Sequence, residues 1–244
     1  MTIQFSNYIP EFVATRRFLH QNPELGLSEF KTSDFLADQL TALGYEVTRG
    51  LGQTGLVASL KNGTSGRSIG IRADIDALPI PEETGLDYAS QNPGLMHACG
   101  HDGHTAILLG AARILAERRN FDGTLNLIFQ PAEENFAGAK LMIEDGLFRQ
   151  FPCDAVFGLH NDPSIPFGKI AVREGAMLAA ADECVITIQG RGGHGAEPQN
   201  ACDPIVCGAS IIMALQTIVS RNLHAMDQAV ITVGAFNAGK ASNV

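Results

Sequence analysis

The sequence predicts an α/β protein with a mostly parallel sheet and helices on both faces. Short apolar runs typical of buried strands alternate with longer segments in which apolar residues recur at helical spacing. Loops that contain glycine, asparagine or serine separate these segments. At 244 residues, 45 % of them hydrophobic, the chain is long enough to bury an ample core. Alternation of this kind is typical of a parallel sheet covered on each side by helices.

Several segments carry helical periodicity, and some also carry boundary signals. Ser28 and Glu29 supply start signals for one of them, and Gly44 supplies its stop signal. The segment that starts at Thr105 is the strongest, because its apolar residues fall on one face. The predicted helices cover residues 12–20, 28–43, 105–118, 137–144 and 203–221.

The strands are predicted from apolar or alternating runs. Pro131 ends the run at residues 124–129. The run at residues 182–189 alternates apolar with mostly polar residues, so one of its faces is expected to be exposed. A glycine-rich turn follows it, and we place a domain boundary near Leu178, between residues 1–178 and 179–244. One predicted strand lies at Val47, and the others cover residues 55–60, 68–73, 124–129, 154–159, 182–189 and 229–233.

Composition narrows the classes of partner. The net charge is −9 and no block of basic residues is present, which argues against nucleic acid or an anionic membrane as partner. No uninterrupted apolar run reaches membrane-spanning length, and the first residues lack the pattern of a signal peptide. The five cysteines have no disulfide-framework spacing, so we expect reduced thiols and a cytoplasmic location.

The most informative stretch lies at residues 97–104, where a cysteine, three histidines and an aspartate precede an apolar run. Gly100 gives the backbone the freedom to turn Cys99 and His101 toward one point. Thiolate and neutral imidazole are ligands for zinc and similar divalent ions. A reactive or merely buried cysteine near surface histidines is the alternative for this motif alone.

Two further polar sites follow predicted strands. Glu133 and Glu134 leave the strand at residues 124–129, and adjacent carboxylates suit a metal site in which one binds the ion and the other moves protons. The alternative is a solvated turn. His160 leaves the next strand, where open α/β sheets place their ligands, although a lone histidine there is more often structural. Three such sites at successive strand ends are much harder to explain by coincidence than one, and together they favour a shared metal site.

These motifs resemble the hippurate hydrolase and indole-acetyl-amino-acid hydrolase amidohydrolases, a branch of the aminoacylase/carboxypeptidase G metallopeptidases with a zinc-exopeptidase-like fold. The resemblance runs from about Arg16 to Val244 and implies a two-metal hydrolase that cleaves the amide of an N-acylated amino acid. The matching motifs are RFLHQNPEL at residues 17–25, RADIDALP at 72–79, HACGHD at 97–102, PAEE at 131–134, GLH at 158–160 and GRGGHG at 190–195.

The resemblance implies roles for individual residues. Cys99, His101, Glu134 and His160 would bind metal, with Cys99 bridging two ions. Glu133 would be the general base that deprotonates water and passes the proton to the leaving amine.

Three further residues receive roles with open alternatives. Asp76 would orient a ligand, and Asp74 stands where the wider clan has a histidine ligand; both would otherwise be strand-end turn residues. His194, in a flexible glycine turn, would reach a neighbouring subunit's site and donate a hydrogen bond to the oxyanion. Its alternative is an exposed loop histidine. The remaining motif residues are interpreted as packing, capping or outer positions: His20, Pro23, Glu24, His97 and His104.

The implied cofactors are two divalent metal ions, manganese or zinc first, with cobalt or nickel also compatible. The implied partners are a small N-acyl amino acid substrate and a second copy of the chain, bound through a lid domain of which residues 179–244 form the first half.

The resemblance also implies that the family continues beyond Val244 with the rest of the lid and a last histidine ligand. We therefore expect a C-terminally truncated chain with little turnover. An inactive remnant that retains a partial metal site, or a metal-binding assembly module, is the alternative to an active amidohydrolase.

Overall fold

The computed structural model describes residues 5–135 and 137–244. The chain divides into two compact units, Met1–Ile170 and Ala171–Val244. This division falls earlier in the chain than the boundary expected near Leu178.

The first unit is built on one five-stranded sheet of order β1-β2-β4-β3-β5. β3 pairs in parallel with β4 and with β5, whereas β2 is antiparallel to both β1 and β4. Four of the five strands therefore run in the same direction, as the predicted mostly parallel sheet requires. The strands are β1 (Glu46–Leu51), β2 (Gly55–Asn62), β3 (Ser68–Asp74), β4 (Gly123–Gln130) and β5 (Ala155–Gly158).

Helices cover both faces of the sheet. Successive residues of a strand point to opposite faces, and neighbouring residues of β2 pack against different helices. Leu56 of β2 belongs to the larger core cluster, which also contains residues of α2 and α3. The adjacent Val57 belongs to a second cluster, with residues of α4 and α5. The helices are α1 (Ile9–Gln21), α2 (Phe30–Ala42), α3 (His101–Arg118), α4 (Gly138–Glu144), α5 (Leu147–Gln150) and α6 (Pro204–Thr217).

α3 begins four residues earlier than predicted, at His101 rather than Thr105. The prediction started at Thr105, just before the apolar run, and the polar positions ahead of it give no periodic signal. Gly100 precedes the helix with φ 91°, a conformation that favours glycine, and a Cβ there would lie 2.6 Å from the side-chain oxygen of Asn161. The helix therefore starts close to the segment that leaves β5.

Strand register brings the polar motifs to one edge of the sheet. Asp74 pairs with Gln130 at the carboxyl end of β4, and Arg72 pairs with Gly158 at the carboxyl end of β5. The segments that follow these strands carry Glu133 and His160. The candidate site lies at this edge.

The second unit contains α6, which continues as a π-helix over Ile218–Asn222. The side chain of Asp203 caps α6 by accepting hydrogen bonds from the backbone N–H groups of Ile205 and Val206. Within residues 171–244, no strand forms at 182–189 or 229–233, so both strand predictions are wrong for this structure. An alternating pattern indicates which side chains share a face, but a strand also needs a hydrogen-bonded neighbour.

One helical segment, Pro204–Asn222, has a mean hydropathy of 1.4 over a membrane-length window. By length and composition alone it is apolar enough to cross a membrane, although it is not an uninterrupted apolar run. Polar residues interrupt the segment, but its average hydropathy stays high. The core helix of a soluble protein passes the same criterion, so the segment is weak evidence for a span.

Candidate metal centre

Five residues from three segments of the chain meet at the carboxyl edge of the sheet. We call Cys99, His101, Glu133, Glu134 and His160 the open cluster. The potential ligand atoms of Cys99, His101 and His160 lie within 4.8 Å of one another, as do those of His101, Glu133 and Glu134. The structure thus brings the four predicted metal ligands and the predicted base into one place, with His101 common to both groups.

Distances and exposure distinguish the two glutamates. The Nε2 atom of His101 lies 3.8 Å from Glu134 Oε1 and 3.9 Å from Glu133 Oε2. The side chain of Glu133 is 39 % exposed and that of Glu134 is 23 % exposed, whereas His101 is fully buried. Glu134 is therefore the more enclosed carboxylate, and Glu133 is more open to solvent.

Two buried atoms of the open cluster test whether a metal ion fits. Among the described residues, His101 Nε2 and Glu134 Oε1 have no hydrogen-bond partner. Leaving such groups buried and unpaired costs about 1–3 kcal/mol each. A divalent cation would satisfy both atoms, and the sulfur, nitrogen and oxygen donors match the ligand types of zinc and related ions. The residues present fit a bound metal.

Asp76 fixes the orientation of this cluster. Its Oδ1 and its backbone oxygen both accept from Nδ1 of His101, each at 3.0 Å. Its Oδ2 accepts from the backbone N–H of Glu134 at 2.9 Å. Because Nδ1 of His101 carries the donated proton, Nε2 is the nitrogen with a free lone pair. This is the geometry that the predicted orienting role of Asp76 requires.

Negative charge accumulates around the open cluster. Burial opposes the charged imidazole of His101, yet the hydrogen bond with Asp76 and the charge of Asp74 raise its pKa. Burial, followed by the Glu134 carboxylate, raises the pKa of the Cys99 thiol to about 12. A metal ion would offset this negative charge and displace the thiol proton.

A second polar group lies beside the first and differs from it in one respect. We call Arg72, Asp74, His104 and Asn161 the saturated cluster. Nδ1 of His104 donates to Asp74 Oδ1 at 2.6 Å, and Arg72 donates to Asp74 Oδ2 at 2.8 Å. The other ring nitrogen of His104 accepts from the backbone N–H of Asn161 at 3.0 Å.

Asp74 is stably ionised in this arrangement. Although burial opposes ionisation, the hydrogen bond from His104 and the Arg72 guanidinium lower the pKa of Asp74 to about 2. Asp74, His101 and His104 also lie within metal-ligand distance of one another. However, both oxygens of Asp74 already accept from protein donors, Nδ1 of His104 already donates to Asp74, and the other ring nitrogen of His104 already accepts from Asn161. The sequence predicted neither this pairing nor the role of Arg72.

Among the residues assigned to packing, capping or outer positions, His20 and His97 are buried and Glu24 is half-buried. His20 is buried, with Nδ1 2.7 Å from Asp102 Oδ2 and Nε2 3.2 Å from Glu82 Oε1. Glu24 accepts from the backbone N–H of Thr32 at 2.8 Å, in the first turn of α2. His97 is buried, and neither of its ring nitrogens has a partner among the described residues.

His194 lies in the second unit, in the glycine-rich turn. Its side chain is exposed, and its Nδ1 accepts from the backbone N–H of Ala196 at 3.1 Å. The role predicted for it at a neighbouring subunit's site stays a prediction.

The chain is similar to curated hydrolases. It is 52 % identical over 237 residues to the hippurate hydrolase of Campylobacter jejuni, covering 96 % of this chain and 61 % of that protein. It is 46 % identical over 243 residues to the N-acetyl-L-cysteine deacetylase of Bacillus subtilis, covering 99 % of this chain and 58 % of that protein. The chain thus spans about three fifths of the length of these relatives.

A solved structure and a family model agree with these relatives. The crystal structure of the Bacillus subtilis YXEP protein, a dinuclear metal binding peptidase from the M20 family, matches with a TM-score of 0.66 and 43 % identity. The match covers 70 % of this chain and 48 % of that one. The model of Peptidase family M20/M25/M40 matches residues 70–240, which contain both polar clusters. The chain therefore belongs to Peptidase family M20/M25/M40.

Proposed function

We propose that this protein is a metal-dependent amidohydrolase that cleaves the amide bond of N-acyl amino acids. The observation that carries the proposal is the pair of unpartnered buried atoms, His101 Nε2 and Glu134 Oε1, beside a thiol and a second carboxylate. The two named relatives above, a hippurate hydrolase and an N-acetyl-L-cysteine deacetylase, support the substrate class.

Cys99, His101, Glu134 and His160 would hold the metal. A divalent ion there supplies Lewis acidity toward the amide carbonyl and lowers the pKa of water. In the neutral ring of His101, Asp76 holds the proton at Nδ1 and so leaves Nε2 to face the ion, and it also fixes the backbone of Glu134. Two ions of manganese or zinc suit the mixed donor set, and cobalt or nickel are compatible with it.

Glu133 is the proposed general base. It is the more exposed carboxylate of the adjacent pair, and its Oε2 lies 3.9 Å from His101 Nε2. Glu133 would accept a proton from the attacking water and then donate it to the leaving nitrogen. Glu134, the more enclosed carboxylate of the pair, would then be the metal ligand.

The cytoplasmic location, the homodimer formed through residues 179–244 and the contribution of His194 to a partner's site also belong to this proposal. The five free cysteines support the reducing location.

The experiment compares purified wild type with Glu133→Gln, which preserves shape but cannot accept the proton. Metal content is measured by elemental analysis, and hydrolysis of N-benzoylglycine and N-acetylcysteine is followed by release of the free amino acid. We expect equal metal in both proteins and a loss of about 10²–10⁴-fold in hydrolysis for the variant.

Three outcomes would count against parts of the proposal. Equal hydrolysis by both proteins would exclude Glu133 as the base. A wild type that binds metal but hydrolyses neither substrate would favour the inactive remnant or the assembly module. A wild type without metal would exclude the proposed centre.

A further inference from the structure

The segment that joins β4 to the glutamate pair contains a strained backbone. Ala132 is completely buried and has φ 49°, in the left-handed region. That conformation costs a residue with a Cβ roughly 1–2 kcal/mol. Such residues persist only where the surrounding structure determines their position, and they cluster at functional sites. Ala132 immediately precedes Glu133.

A buried carboxylate holds this residue in place. The side chain of Glu29 has no exposed surface, and its Oε1 accepts from the backbone N–H of Ala132 at 2.8 Å. Its Oε2 accepts from the hydroxyl of Thr54 at 2.5 Å. Thr54 is itself buried. Both oxygens of Glu29 are therefore engaged by residues far from it in sequence.

Two glycines complete the enclosure of Ala132. A Cβ on Gly26 would lie 2.9 Å from the Cα of Ala132, so only glycine permits this approach. The backbone N–H of Gly138 donates to the carbonyl oxygen of Ala132 at 3.1 Å. Both backbone polar groups of Ala132 are thus fixed, one by Glu29 and the other by Gly138.

Helix capping does not explain the buried charge. Glu29 stands at the start of α2, yet its side chain makes no capping hydrogen bond there. Glu24 instead binds the first turn of α2 through the N–H of Thr32. Burying a carboxylate is costly unless it is hydrogen-bonded, and the hydrogen bonds of the Glu29 carboxylate go to Ala132 and Thr54 instead of the helix.

The other side of Glu133 is held in a similar way. Asp76 accepts from the backbone N–H of Glu134 at 2.9 Å, as Glu29 accepts from that of Ala132. Glu133 therefore lies between two backbone groups that are each bound to a buried carboxylate. The two carboxylates come from separate segments of the chain.

We infer that Glu29 is a positioning residue of the proposed centre, which fixes Glu133 and Glu134 by holding the strained backbone of Ala132. The inference rests on the proposed function, since it assigns Glu29 to the metal site. Glu29 touches neither metal nor substrate and acts through Ala132 alone.

The test is a titration with Co²⁺ in competition with a chelator, followed by the visible absorption of bound cobalt. The proteins are wild type, Glu29→Ala, Glu29→Gln and Tyr45→Phe. Loss of a partner that orients metal ligands costs about 10–100-fold in affinity, and we expect Glu29→Ala to weaken Co²⁺ binding by that factor. Glu29→Gln should stay within about threefold of wild type, because the amide oxygen still accepts from Ala132 and its NH₂ still reaches Thr54.

Tyr45→Phe is the matched control. It removes another buried hydrogen bond, from the Tyr45 hydroxyl to the carbonyl of Ala112 at 2.9 Å, outside both polar clusters. We expect its Co²⁺ affinity and spectrum to equal those of wild type. Equal weakening in Tyr45→Phe would show that general destabilisation explains the result and would overturn the inference.

Folding of each variant is checked by circular dichroism. If Glu29→Ala does not fold, the Co²⁺ affinity of Thr54→Val tests the inference instead. Thr54→Val removes one of the two bonds of the Glu29 carboxylate, and we expect an affinity between those of Glu29→Gln and Glu29→Ala. Unchanged Co²⁺ binding in folded Glu29→Ala, or in Thr54→Val where Glu29→Ala does not fold, would overturn the inference alone. A wild type that binds no Co²⁺ would overturn the proposed function, and with it this inference.

Discussion

The open and saturated clusters share one edge of the sheet, and each contains groups of metal-ligand type that lie within ligand distance of His101. In the saturated cluster, the oxygens of Asp74 and both ring nitrogens of His104 are bound by protein donors or acceptors. In the open cluster, two buried atoms lack a partner among the described residues. The difference indicates that proximity of ligand types is not enough to define a metal site. The two buried atoms without a hydrogen-bond partner favour the open cluster as the metal site.

The largest expected effect concerns stability without metal. Asp74→Asn should lower the free energy of unfolding by about 2–4 kcal/mol, because it breaks a buried charge pair whose partner Arg72 is partly exposed. Glu134→Gln should change it little or raise it, since burial already raises the pKa of this carboxyl. Urea denaturation in the presence of chelator measures both. A larger loss in Glu134→Gln than in Asp74→Asn would contradict the distinction between the clusters.

The second effect concerns the stability that the folded protein gains when a metal ion binds the open cluster. A ligand at about 100 times its dissociation constant stabilises the folded state by about 2.7 kcal/mol. We expect a gain of this order for wild type and Tyr45→Phe when Zn²⁺ or Mn²⁺ is added. The gain should disappear in Cys99→Ala combined with Glu134→Ala. Thermal unfolding at increasing metal concentration gives the answer, and an equal gain in the double variant would place the metal elsewhere.

The predictions from sequence succeeded where chain direction alone determines proximity. Carboxyl ends of parallel strands share an edge, so the positions of Glu134 and His160 after β4 and β5 were enough to bring them together. Cys99 and His101 joined them because the chain turns at Gly100 before α3. The α/β class followed from alternating periodicity and is confirmed.

The rest depends on contacts between distant residues, which a single sequence does not reveal. Glu29 resembles a helix start signal, and only the folded chain shows that its carboxylate reaches Thr54 and Ala132. The pairing of Arg72 with Asp74 was missed for a different reason. Asp74 was interpreted through the resemblance or as a strand-end turn residue, and a side-chain pair between two residues of one strand leaves no mark in the periodic pattern. In the second unit, residues 182–189 have the alternation of a strand but no ladder partner among residues 171–244.

The smallest effect concerns Glu29, the buried carboxylate that lies outside both clusters. Burial raises the pKa of Glu29, so the folded chain binds this proton more tightly than the unfolded chain does. The free energy of unfolding should therefore fall as pH rises from the ordinary carboxyl range, about pH 4, through the folded pKa. Glu29→Gln has no such proton and should lose less stability over the same range. Urea denaturation at several pH values compares the two, and parallel curves would show that Glu29 carries no raised pKa.

The central claim is that a metal ion binds the open cluster and not the saturated one. The most direct measurement is elemental analysis of wild type, Cys99→Ala combined with His101→Ala, and Asp74→Asn, each purified without chelator. We predict metal in wild type, its loss from the double variant, and its retention at the wild-type ratio in Asp74→Asn. Metal that persists in the double variant but disappears from Asp74→Asn would contradict the claim.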